Sequence, residues 1–513
     1  MLSDDLLTSV KQQPLRALGL TLLLALIVRL LVFPLNEHVY GDAIARTELA
    51  EQWARAPHVI SAFGNGAYQF GPLHLYLVGA ALTWFDRDIA SRVVSLIFGL
   101  LTIVPVFALT RHYFGGTSAL LAAFGMAVWG LHVQVSTTGG SEALSLFLMW
   151  TAFAWFARAI YRPHIVPIAC AALALNLAAA TRYDAWMYIP LLAVAPAWLV
   201  RDRRAGVRTS LLFLLFCLPF PIYWLAGNAI AHGDAFYPLD YIDDFHASWA
   251  ATERATMWRD VWLRLQGLGF WPAMAVVTLT PGVALLGLMG MVSAWRIRPL
   301  ARWLVVAAIA PAAYYTARTT LLADFVPLAR FTIVQVSLLL PFVGSGLAWV
   351  AGEYGATVTR HVLRTSLALA LLLPIGLGIY TWRSEGWAAT VLEPLSPVTT
   401  NPRALMAAAA FLREEAAASG RSVALDVDER YGDLTIGFYA RLPPETTIRL
   451  RWPGRDALLL RRPADLLVVF DRGRLRTAEQ VRDEGDLLHL GTTTYRVRWR
   501  SAPVRIFERV AER

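Results

Sequence analysis

A carboxylate at a membrane–water interface can serve as a general base between a lipid-borne substrate and a soluble acceptor, and an arginine fork can hold a phosphate. Asp42 and Glu142 are the carboxylates best placed for the first task. Asp42 lies in LNEHVYGDAIARTELAEQWAR, just after the first apolar run. That stretch reads as an amphipathic helix, with Ile44, Leu49 and Trp53 apolar and Arg46, Glu48 and Glu51 polar. Asp42 reads equally well as the N-cap of this helix, and the two roles are compatible. Glu142 lies in STTGGSEALSLF, a short turn before another apolar run. There Ser141 can cap and Glu142 can sit in the first helical turn, favoured by the macrodipole; equally, Glu142 can face Asp42 across a cavity between helices. Arg182 and Asp184 are close together in TRYDAW and can pair with each other. Arg318 and Arg330 flank TTLLADFVPLA, where each can hold a lipid phosphate or snorkel to the headgroups. His38, His58 and His74 share a loop region with Glu37 and Asp42 without a His-x-x-His spacing, so no metal ligand is assigned. A divalent metal is compatible with the sequence but not required by it.

The elements that position these groups follow from composition. Of 513 residues 57% are hydrophobic and only 16% charged, with mean hydropathy +0.49. Soluble domains carry roughly 25% charged residues. The chain is therefore read as a polytopic membrane protein with water-soluble mass attached, not as a disordered, fibrous or ordinary cytosolic protein. The net charge is +9, and Lys11 is the only lysine among 46 basic residues. No basic stripe with interleaved aromatics points to nucleic acid. Cys170 and Cys217 sit in apolar runs and suggest neither a disulfide nor a metal.

Leu18 to Leu35 follows Lys11 and Arg16 and lacks a small-residue cleavage site, as a retained anchor would. Further apolar runs near 91–110, 117–135, 143–160, 165–181, 185–200, 209–231, 272–295, 303–317, 331–350 and 364–382 bring the expected count to about eleven spans. PLHLYLVGAALTWF (72–85) is short and reads as a juxtamembrane helix at the interface. With that helix lying flat, RDRRAGVR (201–208) and RIRPLAR (296–302) fall on the same side as Lys11. The positive-inside rule then makes the N-terminus cytoplasmic. The other side receives the first loop (36–90), a short turn at 136–142, a loop at 232–271 and everything after about residue 384. The expected organisation is a membrane domain over 1–383 and an extracytoplasmic α/β domain over 384–513. In the latter, Asn401-Pro402 should start a helix, LMAAAAFLREEAAA, that Gly420 ends. SVALDV, TIGFYA, TTIRLRW, DLLVVF, TYRVRW and VRIFERV read as strands, and TAEQVRDEG as a second helix. No Gly-rich phosphate loop is present, so no catalysis is assigned to this domain.

Several passages resemble the GT-C superfamily of integral membrane glycosyltransferases, in its protein O-mannosyltransferase-like and aminoarabinose-transferase-like branch. They are YGDAIARTELAEQWA, FGPLHLYLVGA, RDIASRVVSLIFGLLTIVPVFALTRHYFGG, STTGGSEALSLFLMWTAFAWFARA followed by TRYDAW, and NAIAHGDAFYPLDY. The likeness runs over roughly residues 15–350 and lies in the order of the passages. It implies a GT-C fold, a sugar donor carried on a polyprenyl phosphate, and chemistry on the outer face of the cytoplasmic membrane. By the resemblance Asp42 takes the place of the first-loop catalytic aspartate, and Glu142 that of a second-loop acid usually found as aspartate. Arg330 sits where late-loop basic residues contact the donor phosphate. Arg182, Arg318, Tyr40 and His74 complete the substrate-binding candidates. The implied partners are the lipid-linked donor, the bilayer, and a lipid, glycan or protein acceptor. A weakly basic polyprenyl phosphate leaves readily, so one general base suffices and inversion is expected. The alternatives are a multi-span transporter or lipid flippase, which would show an internal repeat and mid-membrane charge, and an O-antigen-type polymerase or ligase, whose large loop comes late.

Overall fold

A computed structural model describes residues 14–38, 41–64, 71–384, 396–417, 419–427, 431–451, 454–478 and 480–510. Among these residues twenty α-helices follow in chain order: α1 (Pro14–Val32), α2 (Gly41–Arg55), α3 (Leu73–Ala81), α4 (Arg87–Leu101), α5 (Ile103–Val128), α6 (Gly130–Val135), α7 (Glu142–Tyr161), α8 (Ile165–Ala179), α9 (Tyr188–Leu199), α10 (Arg203–Cys217), α11 (Pro219–His232), α12 (Tyr237–Glu253), α13 (Met257–Thr278), α14 (Pro281–Ile297), α15 (Arg302–Ala317), α16 (Ile333–Ser337), α17 (Val343–Arg383), α18 (Arg403–Leu412), α19 (Gly432–Tyr439) and α20 (Arg455–Arg461). Seven strands follow or interleave with the last of these: β1 (Val423–Leu425), β2 (Thr447–Arg449), β3 (Leu466–Phe470), β4 (Val481–Asp483), β5 (Leu487–Leu490), β6 (Thr493–Ser501) and β7 (Val504–Arg509).

Contacts divide the chain into two units. One comprises the described residues of Met1–Asn36, Leu49–Ser384 and Ala388–Thr399, the other those of Glu37–Glu48 and Thr400–Arg513. The first unit is helical. Among the described residues five helices are long and apolar enough to cross a membrane, or up to seven if each of two bent pairs is one span. The core of this unit interlocks large side chains: Trp303 packs edge-on against Phe153 and Phe156, and Trp150 Nε1 donates to Ser337 Oγ at 3.0 Å. Gly115 (φ 86°) and Gly355 (φ 78°) break helices between neighbouring apolar runs, at backbone angles a side chain would strain. The run near 272–295, read as one span, crosses instead a 115° bend between α13 and α14. Thr280 there has φ 71° and Pro281 starts the next helix without a backbone donor to continue the last one. The stretch 232–271, read as a loop, is mostly helical in α12 and α13. α3 spans nine residues, too short to cross a bilayer.

The second unit is built on a seven-stranded sheet of order β2-β1-β3-β7-β6-β5-β4. β1 pairs parallel with β2 and β3, and the remaining neighbours pair antiparallel. Side chains alternate between its two faces, as strand geometry requires. Val423, Leu425, Leu466, Val468 and Phe470 join a core with Leu405 and Leu412, while Ala424, Leu467 and Val469 join another with Leu459 and Tyr495. TIGFYA, expected as a strand, is part of α19. The parallel β1–β2 pair needs a crossover, and a run buried on all sides carries no periodicity to separate helix from strand. TAEQVRDEG, expected as a helix, contains β4. Asn401 does not cap α18; its side-chain amide donates to Glu37 Oε2 at 3.0 Å and to His38 O at 2.9 Å.

Candidate active site

Within the helical unit the functional candidates gather at the start of α7. Residues 126–146 are buried without interruption. The turn at 136–142, read as a short loop near the bilayer surface, is therefore enclosed. It survives burial because its polar groups are satisfied, as buried backbone must be. Arg92 Nε donates to Thr137 O at 2.9 Å, Ser95 Oγ donates to Gly140 O at 2.9 Å, and Thr137 Oγ1 donates to Val133 O at 3.0 Å. Asn36, just past α1, donates from Nδ2 to Pro397 O at 3.0 Å and accepts from Thr399 N at 2.7 Å, and the same Nδ2 reaches Thr137 Oγ1.

Glu142 is the first residue of α7, and Ser141 makes no capping bond to it. Ser141 Oγ accepts instead from Arg182 Nη1 at 3.4 Å. The same Nη1 donates to Glu142 Oε1 at 3.1 Å, and both side chains are 7% exposed. Arg182 Nε reaches Asp184 at 3.2 and 3.3 Å, so its pairing with Asp184 is real but is only half of its engagement. Arg330 Nη1 approaches Glu142 Oε1 at 3.7 Å. One carboxylate oxygen thus faces two guanidinium groups. Two arginine forks held at one point can grip the oxygens of a phosphate. Glu142 is engaged as the counter-ion that fixes them.

The turn carrying Arg182 is anchored from a third side. Leu73 N donates to Ala180 O at 3.0 Å, and a Cβ on Gly71 would lie 2.2 Å from that oxygen. Only glycine lets the segment before α3 approach so closely. His74, fully buried, follows it on α3.

Arg318 lies in a separate group. Its Nη1 donates to Asp243 Oδ1 at 2.7 Å and its Nε to Asp324 Oδ1 at 3.1 Å. Arg318 lies over Phe325 and Arg330 over Phe331, and the two rings touch with centroids 5.7 Å apart. Phe325 and Phe331 are residue types that carry no chemistry by which the sequence would single them out.

Asp42 belongs to the second unit. It sits in the first turn of α2, inside the helix rather than before it. A carboxylate there meets the positive end of the helix dipole. Tyr40 lies outside the described residues. Among the described residues no cluster of three or more His, Cys, Asp or Glu could hold a metal ion.

Comparison with known proteins adds the family context. The family model for dolichyl-phosphate-mannose-protein mannosyltransferases matches residues 71–224. No curated protein sequence matches significantly. Among solved structures, ArnT from Cupriavidus metallidurans bound to undecaprenyl phosphate aligns over 96% of this chain and 98% of its own, with TM-score 0.63 and 14% identity. Its apo form aligns over 95% and 97%, with TM-score 0.62 and 14% identity. The Archaeoglobus fulgidus oligosaccharyltransferase in its apo form aligns over 90% of this chain and 70% of its own, with TM-score 0.57 and 15% identity. The chain has the fold of the GT-C membrane glycosyltransferases. The matched region 71–224 includes α3, Glu142 and Arg182, while Asp42 and Arg330 lie outside it.

Proposed function

We propose that this protein transfers a sugar from a polyprenyl-phosphate donor to an acceptor hydroxyl at the outer face of the cytoplasmic membrane. The observation that carries this reading is the buried meeting of Arg182 and Arg330 at Glu142, on a fold shared nearly end to end with a protein solved with undecaprenyl phosphate. The membrane part, 1–383, contributes about eleven spans with a cytoplasmic N-terminus, and 384–513 lies outside. The basic loops RDRRAGVR and RIRPLAR support that orientation.

Asp42 acts as general base. It takes the proton of the acceptor hydroxyl as the acceptor oxygen bonds to the anomeric carbon and the carbon–phosphate oxygen bond breaks. The electron pair departs on the phosphate, a weak base that needs no proton. Arg330 and Arg182 take up the phosphate charge in a site with little water to screen it, and Glu142 keeps both guanidinium groups aimed. A single base opposite the leaving group gives inversion. The protein reconstituted in vesicles and offered a panel of polyprenyl-phosphate sugars and nucleotide sugars tests the reading. Turnover of a lipid-phosphate donor is expected; turnover of nucleotide sugars alone would refute it.

A further inference from the structure

We infer that the C-terminal sheet domain is the positioning element for Asp42, with Arg449 and Tyr431 as its positioning residues. The inference rests on the reading of Asp42 as the base. The segment Glu37–Glu48 belongs to the same compact unit as the domain. Four holds act along its length. At its start, Asn401 N donates to Glu37 Oε2 at 2.7 Å, and His38 N donates to the Tyr439 hydroxyl at 2.8 Å. In its middle, Ile44 packs on Leu434 and Phe438 of α19. At its end, Arg449 of β2 donates from both Nη atoms to the two oxygens of Glu48, at 2.8 and 2.7 Å, with each side chain 18% exposed.

The fourth hold is next to Asp42 itself. A Cβ on Gly41 would come within 2.9 Å of the Tyr431 ring, so that ring lies against the backbone of the residue before Asp42. Tyr431 has φ 61°, a conformation that costs a bulky residue energy and persists only when the surroundings enforce it. Arg451 lies over the same ring, its guanidinium 4.7 Å from the centroid and gripped by Asp433 at 2.9 and 2.6 Å, which holds the ring in place.

The mechanics follow from helix geometry. Glu48 lies about 120° around α2 from Asp42. A bidentate pair at Glu48 and a ring stop at Gly41 therefore fix both the rotation and the depth of the first turn. A general base works only within hydrogen-bond reach of its proton, and a displacement of about 1 Å can cost roughly 100-fold in rate. A domain with no assigned chemistry thus sets the rate of chemistry it does not perform.

Amide hydrogen exchange on the full-length protein in lipid nanodiscs tests the clamp without an assay. In R449Q, amides 43–48 should exchange about tenfold faster while amides 142–161 stay unchanged. The charge-swapped double variant E48R/R449E should restore slow exchange. Unchanged exchange at 43–48 in R449Q, or acceleration across both segments, would overturn the clamp. Turnover then separates the two readings. If D42N is inactive and R449Q lowers kcat by roughly tenfold at constant donor KM, both stand. If D42N is inactive and R449Q has wild-type kcat, the positioning role fails alone. If D42N is fully active, the base assignment fails while the exchange result still judges the clamp. In the D42N background R449Q should cause no further loss; an additive loss would show that Arg449 acts elsewhere.

Discussion

Glu142 and Asp42 are both first-turn helix acids, yet they are held in opposite ways. Glu142 is fixed from within the helical unit, by Arg182 40 residues on and by Arg330 in the late loop, in a turn with no exposed residue. Asp42 is fixed by residues 401 positions away, in the pairs His38–Tyr439 and Glu48–Arg449. The first arrangement suits a group that must stay put and orient cations. The second suits a group whose setting is made by a separate sheet domain. The electrostatic half and the proton-transfer half of the proposed reaction are therefore built by different parts of the chain.

The predictions probe this contrast, beginning with the largest effect. D42N should lower transfer by roughly 1,000-fold or more, the scale of a lost general base together with its alignment, with the unfolding temperature lowered only slightly by loss of the charge at the helix dipole. E142Q should act through structure. It leaves Arg182 and Arg330 without their shared counter-ion, which costs about 3 kcal/mol when a buried pair loses one partner. Thermal unfolding should reveal the loss. An E142Q protein as stable as wild type, yet inactive, would make Glu142 a chemical participant and erase the contrast. R330A should raise the donor KM about tenfold with a smaller effect on kcat, as loss of a binding contact does.

A fourth prediction concerns the sheet domain alone. Asp426, buried after β1, has its carboxyl pushed up from 3.8 to about 6 by burial, against the pull of N–H donors from Leu475, Val427 and Phe470. Its folded form binds a proton more tightly than its unfolded form. The contribution is present in full below about pH 4 and is lost as pH rises through 6, a change of about 2–3 kcal/mol. D426N should remove that slope from the pH dependence of unfolding. The smallest effect is expected on α2 itself. Arg55 pairs with Glu51 at 3.1 Å, but its side chain is 63% exposed, so R55A should cost about 0.5 kcal/mol or less. One turn away, the Glu48–Arg449 pair is bidentate and half-buried, and the difference between R55A and R449Q measures what burial adds.

Much of the helical unit was legible because apolar runs of membrane length have few alternatives, and glycine breaks such as Gly115 fell where the runs parted. The bend at Thr280 was not, because a Thr-Pro step inside an apolar run carries no sign of how far the chain turns. In the sheet domain the errors fell on TIGFYA and TAEQVRDEG, short segments whose form is set by the strands they join. At the site, Glu142, Arg182 and Arg330 could be nominated from residue type and loop position. Their meeting at one oxygen could not, since nothing local links residue 142 to residue 330. The hold on Asp42 was the least legible part: Arg449 and Tyr431 gain meaning only once the domain is folded against residues 37–48.

The central claim is that Asp42 is the base in transfer from a lipid-phosphate sugar. Its most direct test is single-turnover transfer from a polyprenyl-phosphate sugar by D42N beside wild type, with undecaprenyl phosphate binding measured on the same preparations. The account predicts transfer lost by roughly 1,000-fold with binding unchanged. Transfer by D42N at the wild-type rate would contradict it.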